Sequence, residues 1–219
     1  MKGCIFDLDG VLVDTAGYHY RAWKRLANML GFEFTEKQNE RLKGVSRMDS
    51  LDILLEIGNL KLDRKKKEEY AELKNVWYVE YIRTMGPGDT LPGVEAFLEE
   101  LRSRGYRTAV GSSSKNAPLI LKNTHLSRYL DATVDGNDIS KAKPDPEIFL
   151  LGAKRLGLAP GECAVFEDAE AGIEAANRAG MFSIGVGSPD VLTKADTVIA
   201  GLHEYTVDRL EQDTAARRS

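Results

Sequence analysis

The chain has 219 residues, of which 30 are basic and 34 acidic, giving a formal net charge of −4. Hydrophobic residues make up 42% and charged residues 29%, ordinary globular usage that excludes a disordered chain. The acidic balance gives no global pull toward nucleic acid or anionic membrane, so any bound phosphate must be held by local devices. Two cysteines, Cys4 and Cys163, are too few for a disulfide scaffold, and no run approaches the roughly 18 apolar residues of a membrane span. The expectation is a cytoplasmic chain with no nucleic-acid or membrane partner, for which nothing demands more than a monomer.

The N-terminal run Gly3-Cys4-Ile5-Phe6 is apolar throughout, as suits a strand covered on both faces, and it ends in Asp7-Leu8-Asp9-Gly10. About 100 residues without a second strand signal follow, whereas compact crossover units need roughly 30. This stretch carries only helical patterns. Ala22, Trp23, Leu26 and Leu30 form one, stopped by Gly31; Leu51, Leu54 and Leu55 form another. A third extends from about Arg64 to Arg83, with Tyr70, Leu73, Trp77 and Tyr81 as its expected buried stripe. Lys65-Lys66-Lys67-Glu68-Glu69 reads as a solvated face, and Gly86-Pro87-Gly88 as a return turn.

From there the pattern alternates. Val94, Phe97, Leu98 and Leu101 have helical spacing. Strand runs lie at 108–110, 132–134, 163–166 and 182–186, with helices expected around Ile148 to Leu156 and Ile173 to Ala176 and Gly180 closing the last. The tail from Asp213 is expected to fray. Strand–helix alternation implies right-handed crossovers. The fold class is therefore α/β: a doubly wound, Rossmann-like parallel sheet core (residues 1–14 and 88–219) with an inserted helical cap (residues 15–87). Ligand should bind between them, at the carboxyl ends of the strands.

Four short motifs fall at that edge. In Asp7-x-Asp9, residues i and i+2 of an extended chain point the same way, so both carboxylates can face one cleft; alone, the motif reads as a capped turn. Ser112-Ser113-Ser114-Lys115 offers hydroxyls and amides at a strand-to-helix turn, a phosphate cradle or simply an N-cap. Lys143 beside Pro144 is a fixed point charge or a surface lysine. Glu167-Asp168 ends a strand, where acids also favour a following helix N-terminus. Together, Asp7, Asp9, Glu167 and Asp168 would place four carboxylates on one edge. Such a cluster needs a cation, and hard oxygen ligands beside a phosphate select Mg²⁺. An aspartate is then free to attack phosphorus.

In order and spacing these motifs resemble the haloacid dehalogenase-like phosphotransferases over essentially the whole chain. The resemblance implies Asp7 as nucleophile and Asp9 as general acid and base. It implies Mg²⁺ held by the Asp7 carboxylate, the Asp9 main-chain carbonyl and Asp168, with Glu167 in support, and Ser112 and Lys143 on the transferring phosphate. The cap segments, Thr15 to Trp23 and 42–50, resemble those of the family's sugar-phosphate mutases. That likeness places Arg47 on a second, non-transferring phosphate. Thr15, His19, Trp23, Gly44, Val45, Ser46 and Lys74 would then face the substrate from the cap, and Ser113, Ser114, Lys115 and Asn116 from the core. Several of these have plainer readings: His19 lies on a stripe with Trp23, Leu26 and Leu30, Trp23 suits the cap core, and Arg47 alone would be a surface arginine. The rivals are a sugar-phosphate phosphatase of the same fold, a phospho-accepting receiver and an idle binding module.

Overall fold

The computed structural model describes residues 1–42 and 45–217. Gly3–Phe6, buried at every position, forms β1. β2 (Arg107–Gly111), β3 (Ala132–Val134), β4 (Cys163–Glu167), β5 (Phe182–Val186) and β6 (Thr197–Ile199) complete a sheet in the order β3-β2-β1-β4-β5-β6. Every neighbouring pair is parallel. The chain leaves β1 toward β2 and β3, then returns to the other side as β4, so the strand order reverses beside β1. Crevices for ligands open at such switch points.

Between β1 and β2 lie α1 (Ala16–Met29), α2 (Glu36–Asn39), α3 (Arg47–Ile57), α4 (Arg64–Ile82) and α5 (Val94–Ser103). The remaining helices are α6 (Ala117–Asn123), α7 (Glu147–Leu156), α8 (Glu170–Arg178) and α9 (Val207–Ala216). Trp23, Leu26, Phe34, Leu51, Leu54 and Ala71 make a core of their own for α1 to α4. The two faces of the sheet build separate cores, one holding Phe6, Phe97 and Phe166, the other Ile5, Phe149 and Val165. Cys4 belongs to the first and Cys163 to the second, and both are free and buried. Opposite faces of the sheet keep these two thiols from bridging.

Two chain segments join the helical insertion to the sheet, and they run side by side. Val13 bridges Thr90, Leu91 N donates to Leu12 O at 3.0 Å, and Tyr18 Oη donates to Asp89 at 3.1 Å.

The strand runs fall where the sequence places them, but three details differ. The buried seam of α4 is Ala71, Lys74, Tyr78 and Ile82, one residue on from the expected stripe of Tyr70, Leu73, Trp77 and Tyr81, which are only half-buried. The spacing is the same; a buried lysine in the true seam hid it. β6 went unread because it is three residues long with two of them half-buried. The tail does not fray at Asp213: α9 continues to Ala216, held by buried Leu210 and Thr214.

Candidate active site

β1 and β4 lie in register, with Phe6 opposite Phe166, and Asp7 N donates to Phe166 O at 2.9 Å. This pairing brings Asp7 level with Glu167 at the carboxyl edge. Carboxylate oxygens of Asp7, Glu167 and Asp168 all lie within 4.8 Å of one another. Lys143, on the loop between β3 and α7, reaches into them: its Nζ lies 2.6 Å from Asp7 Oδ1 and 2.8 Å from Glu167 Oε2, with the ammonium side chain 1% exposed. Burial alone would depress the Lys143 ammonium, but Asp7 and Glu167 more than reverse it and hold the charge on. Burial pushes the Glu167 carboxyl well up, opposed by Lys143 and reinforced by Asp7 and Asp168. Glu167 is pinned further by Ala169 N at 3.1 Å, and a side chain at Gly172 would strike its carboxylate.

Three carboxyl groups converge on one point, with Lys143 in contact with two of them. The donor set is all hard oxygen, so these residues fit a divalent cation of the Mg²⁺ type.

The Asp9 carboxylate lines the same cleft but stands outside the group of three acids. After β1 the chain turns at Gly10, whose φ is +81°. The Asp9 carboxylate accepts a hydrogen bond from the Thr15 hydroxyl. A side chain at Gly10 would collide with the Asp168 carboxylate, so this turn requires glycine. Burial, and then the neighbouring Asp7, pushes Asp9 up to about 6, against the Thr15 hydrogen bond and the Lys143 charge. A carboxyl poised there can take and return a proton near neutrality.

The Ser112 turn follows β2. Ser112 is 1% exposed; its Oγ accepts from Ser114 N at 3.1 Å, and Ser114 Oγ accepts from Asn116 N at 3.2 Å. Ser113 Oγ is buried and has no hydrogen-bond partner. Lys115 is exposed, and Asn116 Nδ2 donates to Asn75 Oδ1 of α4 at 2.9 Å, tying core to insertion.

On the helical side, Lys74 is 3% exposed. Its Nζ lies 3.0 Å from His19 Nδ1 and 4.5 Å from the ring centres of both Trp23 and Tyr78. Burial and the Arg47 charge hold Lys74 well below its ordinary value, partly offset by Asp9. Burial, Lys74 and Arg47 likewise depress His19. Trp23 thus serves the insertion's core and floors the Lys74 cage. Tyr78, its ring tilted 31° against that of His19 with centres 4.1 Å apart, was not singled out from sequence. Its signal was there, four residues after Lys74 on the same helical face. Ser46 caps α3, accepting from Asp49 N, and Arg47 at that N-terminus pairs with Glu72 at 3.2 Å. Gly44 lies outside the described residues.

One cleft of about 1820 Å³ is lined by Asp7, Asp9, Thr15, His19, Trp23, Val45, Ser46, Arg47, Lys74, Asp168 and the Ser112 to Asn116 turn. Ligand pockets usually measure roughly 300–1,000 Å³, so the two walls stand apart. Lys143 and Glu167 are not on its lining; they sit behind Asp7, which places Lys143 first as a counter-ion to two acids.

A model of the haloacid dehalogenase-like hydrolases matches residues 1–180. The chain is 41% identical to a beta-phosphoglucomutase of Bacillus subtilis (strain 168) over 215 residues, 97% of this chain and 95% of that one. It is 36% identical to a phosphorylated carbohydrates phosphatase of Thermotoga maritima, over 83% of this chain and 82% of that one. The crystal structure of a beta-phosphoglucomutase from Clostridium difficile superposes with a TM-score of 0.95 at 41% identity, covering 100% of this chain and 99% of that one.

Proposed function

The chain belongs to the haloacid dehalogenase-like hydrolase family, and from that premise we propose that it interconverts β-D-glucose 1-phosphate and D-glucose 6-phosphate through an aspartyl phosphate and β-glucose 1,6-bisphosphate. The observation that supports this reading is a single cleft lined from both sides by groups suited to a phosphate. Asp7 and the Ser112 turn are on the sheet edge, and Arg47 at the N-terminus of α3 is on the opposite wall. A phosphatase needs such groups on one side; a mutase needs them on both, since its bisphosphate intermediate carries a phosphate at each end.

Residues 15–87 act as the cap and residues 1–14 with 88–219 as the core. Phospho-Asp7 gives its phosphoryl group to the 6-hydroxyl of β-glucose 1-phosphate while Asp9 takes the hydroxyl proton. The bisphosphate reverses, with Arg47 holding whichever phosphate is not reacting. Asp7 then attacks the phosphorus of the C1 phosphate, Asp9 returns a proton to the departing oxygen, and glucose 6-phosphate leaves. Ser112 hydrogen-bonds the transferring phosphate. Lys143, in contact with Asp7 Oδ1, aims that carboxylate. The Asp7 and Asp168 carboxylates and the Asp9 main-chain carbonyl would hold Mg²⁺, with Glu167 in support; when bound, it supplies positive charge against the phosphoryl oxygens. Cap closure excludes water, which would otherwise hydrolyse the aspartyl phosphate. Thr15, His19, Trp23, Val45, Ser46, Lys74, Ser113, Ser114, Lys115 and Asn116 line the sugar's path. The enzyme works as a cytoplasmic monomer on small sugar phosphates.

The test is a coupled assay of glucose 6-phosphate formation from β-glucose 1-phosphate with trace bisphosphate, run beside release of inorganic phosphate. Mutase flux well above phosphate release is expected. Phosphate release alone would leave a sugar-phosphate phosphatase.

A further inference from the structure

Asn39 ends the single turn of α2, which is fixed at its start by a reciprocal cap between Thr35 and Gln38. The residue is 6% exposed and lines the cleft on the cap wall, together with Val45, Ser46 and Arg47. Its side-chain carbonyl Oδ1 is buried and accepts no hydrogen bond. Buried amide oxygens are almost always paired, so an orphan on a ligand wall asks what donor arrives there.

Chemistry narrows the choice. A carbonyl oxygen only accepts. A phosphate dianion has no proton to give, so neither end of a bisphosphate suits it. Between the ends lies the hexose ring, whose free hydroxyls are neutral donors. We infer that Asn39 is a specificity-determining residue of the sugar subsite, its Oδ1 accepting a hydrogen bond from one ring hydroxyl (C2, C3 or C4) of the hexose phosphate. The inference rests on the mutase reading for the identity of the sugar, but not for the interaction itself. It predicts that the protein senses one hydroxyl that no charged group touches.

A substrate-by-mutation cycle tests this. The 2-, 3- and 4-deoxy analogues of β-glucose 1-phosphate are compared with the parent by kcat/KM in wild type and in Asn39→Leu. Wild type should lose about 10-fold on one analogue, the size of one neutral hydrogen bond, and Asn39→Leu should shrink that gap to about 2-fold or less. The isosteric Asn39→Asp, which keeps the acceptor, should preserve the gap and guards against misfolding of the leucine variant. The same panel is read as competitive inhibition of acetyl phosphate hydrolysis, so the cycle stands even if mutase turnover is absent and only the functional reading falls. Equal gaps for all three analogues in wild type and both variants would overturn the assignment. So would a uniform loss on parent and analogues alike in Asn39→Leu, which marks a purely structural asparagine.

Discussion

Replacing Lys143 with methionine keeps the length of the side chain and removes the ammonium from between Asp7 and Glu167. At an effective dielectric of 20, the contacts at 2.6 and 2.8 Å attract by about 6 kcal/mol each. Asp7 and Glu167 oxygens, within 4.8 Å of each other, repel by about 3.5 kcal/mol on the same scale. Most of the attraction is offset by desolvation of a buried ammonium, but the variant leaves the two acids unopposed, a change that costs about 3–5 kcal/mol. For a chain of this length Tm falls about 2–4 °C per kcal/mol, so Lys143→Met should melt about 6–20 °C lower in metal-free buffer at pH 8. Magnesium should then recover more stability in the variant than in wild type, because the added charge replaces a lost one rather than meeting it. Calorimetry with and without Mg²⁺ reads both effects. A loss under about 1 kcal/mol, or an equal metal-dependent gain in the two proteins, would refute the argument that Lys143 is the counter-ion of this acid pair.

Arg47→Ala should lower mutase kcat/KM by at least about 30-fold, the cost of losing a charged phosphate contact, while acetyl phosphate hydrolysis stays within about 3-fold and Tm barely moves, since the Arg47–Glu72 pair is largely solvated; a parallel fall in both activities would remove Arg47 from the distal phosphate. Gly172→Ala should destabilise by about 1–3 kcal/mol in urea melts because the new methyl strikes the Glu167 carboxylate, although Gly to Ala within a helix ordinarily stabilises; a gain would show that Glu167 can move freely. Lys74 is depressed when no anion is present, and a bound phosphate stabilises its ammonium. Binding of β-glucose 1-phosphate should therefore take up protons and weaken as pH rises toward the ordinary lysine value of 10.5, the heat in titration calorimetry varying with buffer ionisation enthalpy; no buffer dependence, or the same uptake in Lys74→Met, would refute it.

The strands were legible because a parallel sheet covered on both faces writes itself as short continuous apolar runs, as in Cys163 to Phe166. The insertion was legible from arithmetic alone, since no crossover needs the distance between Phe6 and Thr108. What periodicity could not register was α4. Its stripe was read one residue early because the seam contains Lys74, a residue type that apolar pattern counting assigns to solvent. Tyr78 disappeared with it. The same blindness hid Asn39, which is polar, short and on a helix of one turn. Asp9 shares the cleft with Asp7, as the i, i+2 spacing expects, but its carboxylate is engaged by the Thr15 hydroxyl, a partner no spacing rule announces. In each case the sequence pattern described a regular element correctly, and the departure occurred where the regular element gives way to a polar group with a specific partner.

The two buried lysines of the cleft show how environment, not residue type, assigns a role. Lys143 and Lys74 are equally hidden, at 4% and 3% exposure, and burial acts against both charges. Lys143 has two carboxylates at contact distance and is driven up; its charge is satisfied within the protein, and any phosphate must share it with Asp7 and Glu167. Lys74 has an imidazole and two aromatic faces, with Arg47 repelling it, and is driven down. Aromatic faces attract a cation but do not neutralise it. Lys74, with no carboxylate at contact distance and only Asp9 acting in its favour, thus stands across the cleft from the acid cluster. A dianion entering the cleft stabilises the Lys74 ammonium only when that wall is near, so electrostatics favours bringing the two walls together around a phosphorylated substrate rather than around water.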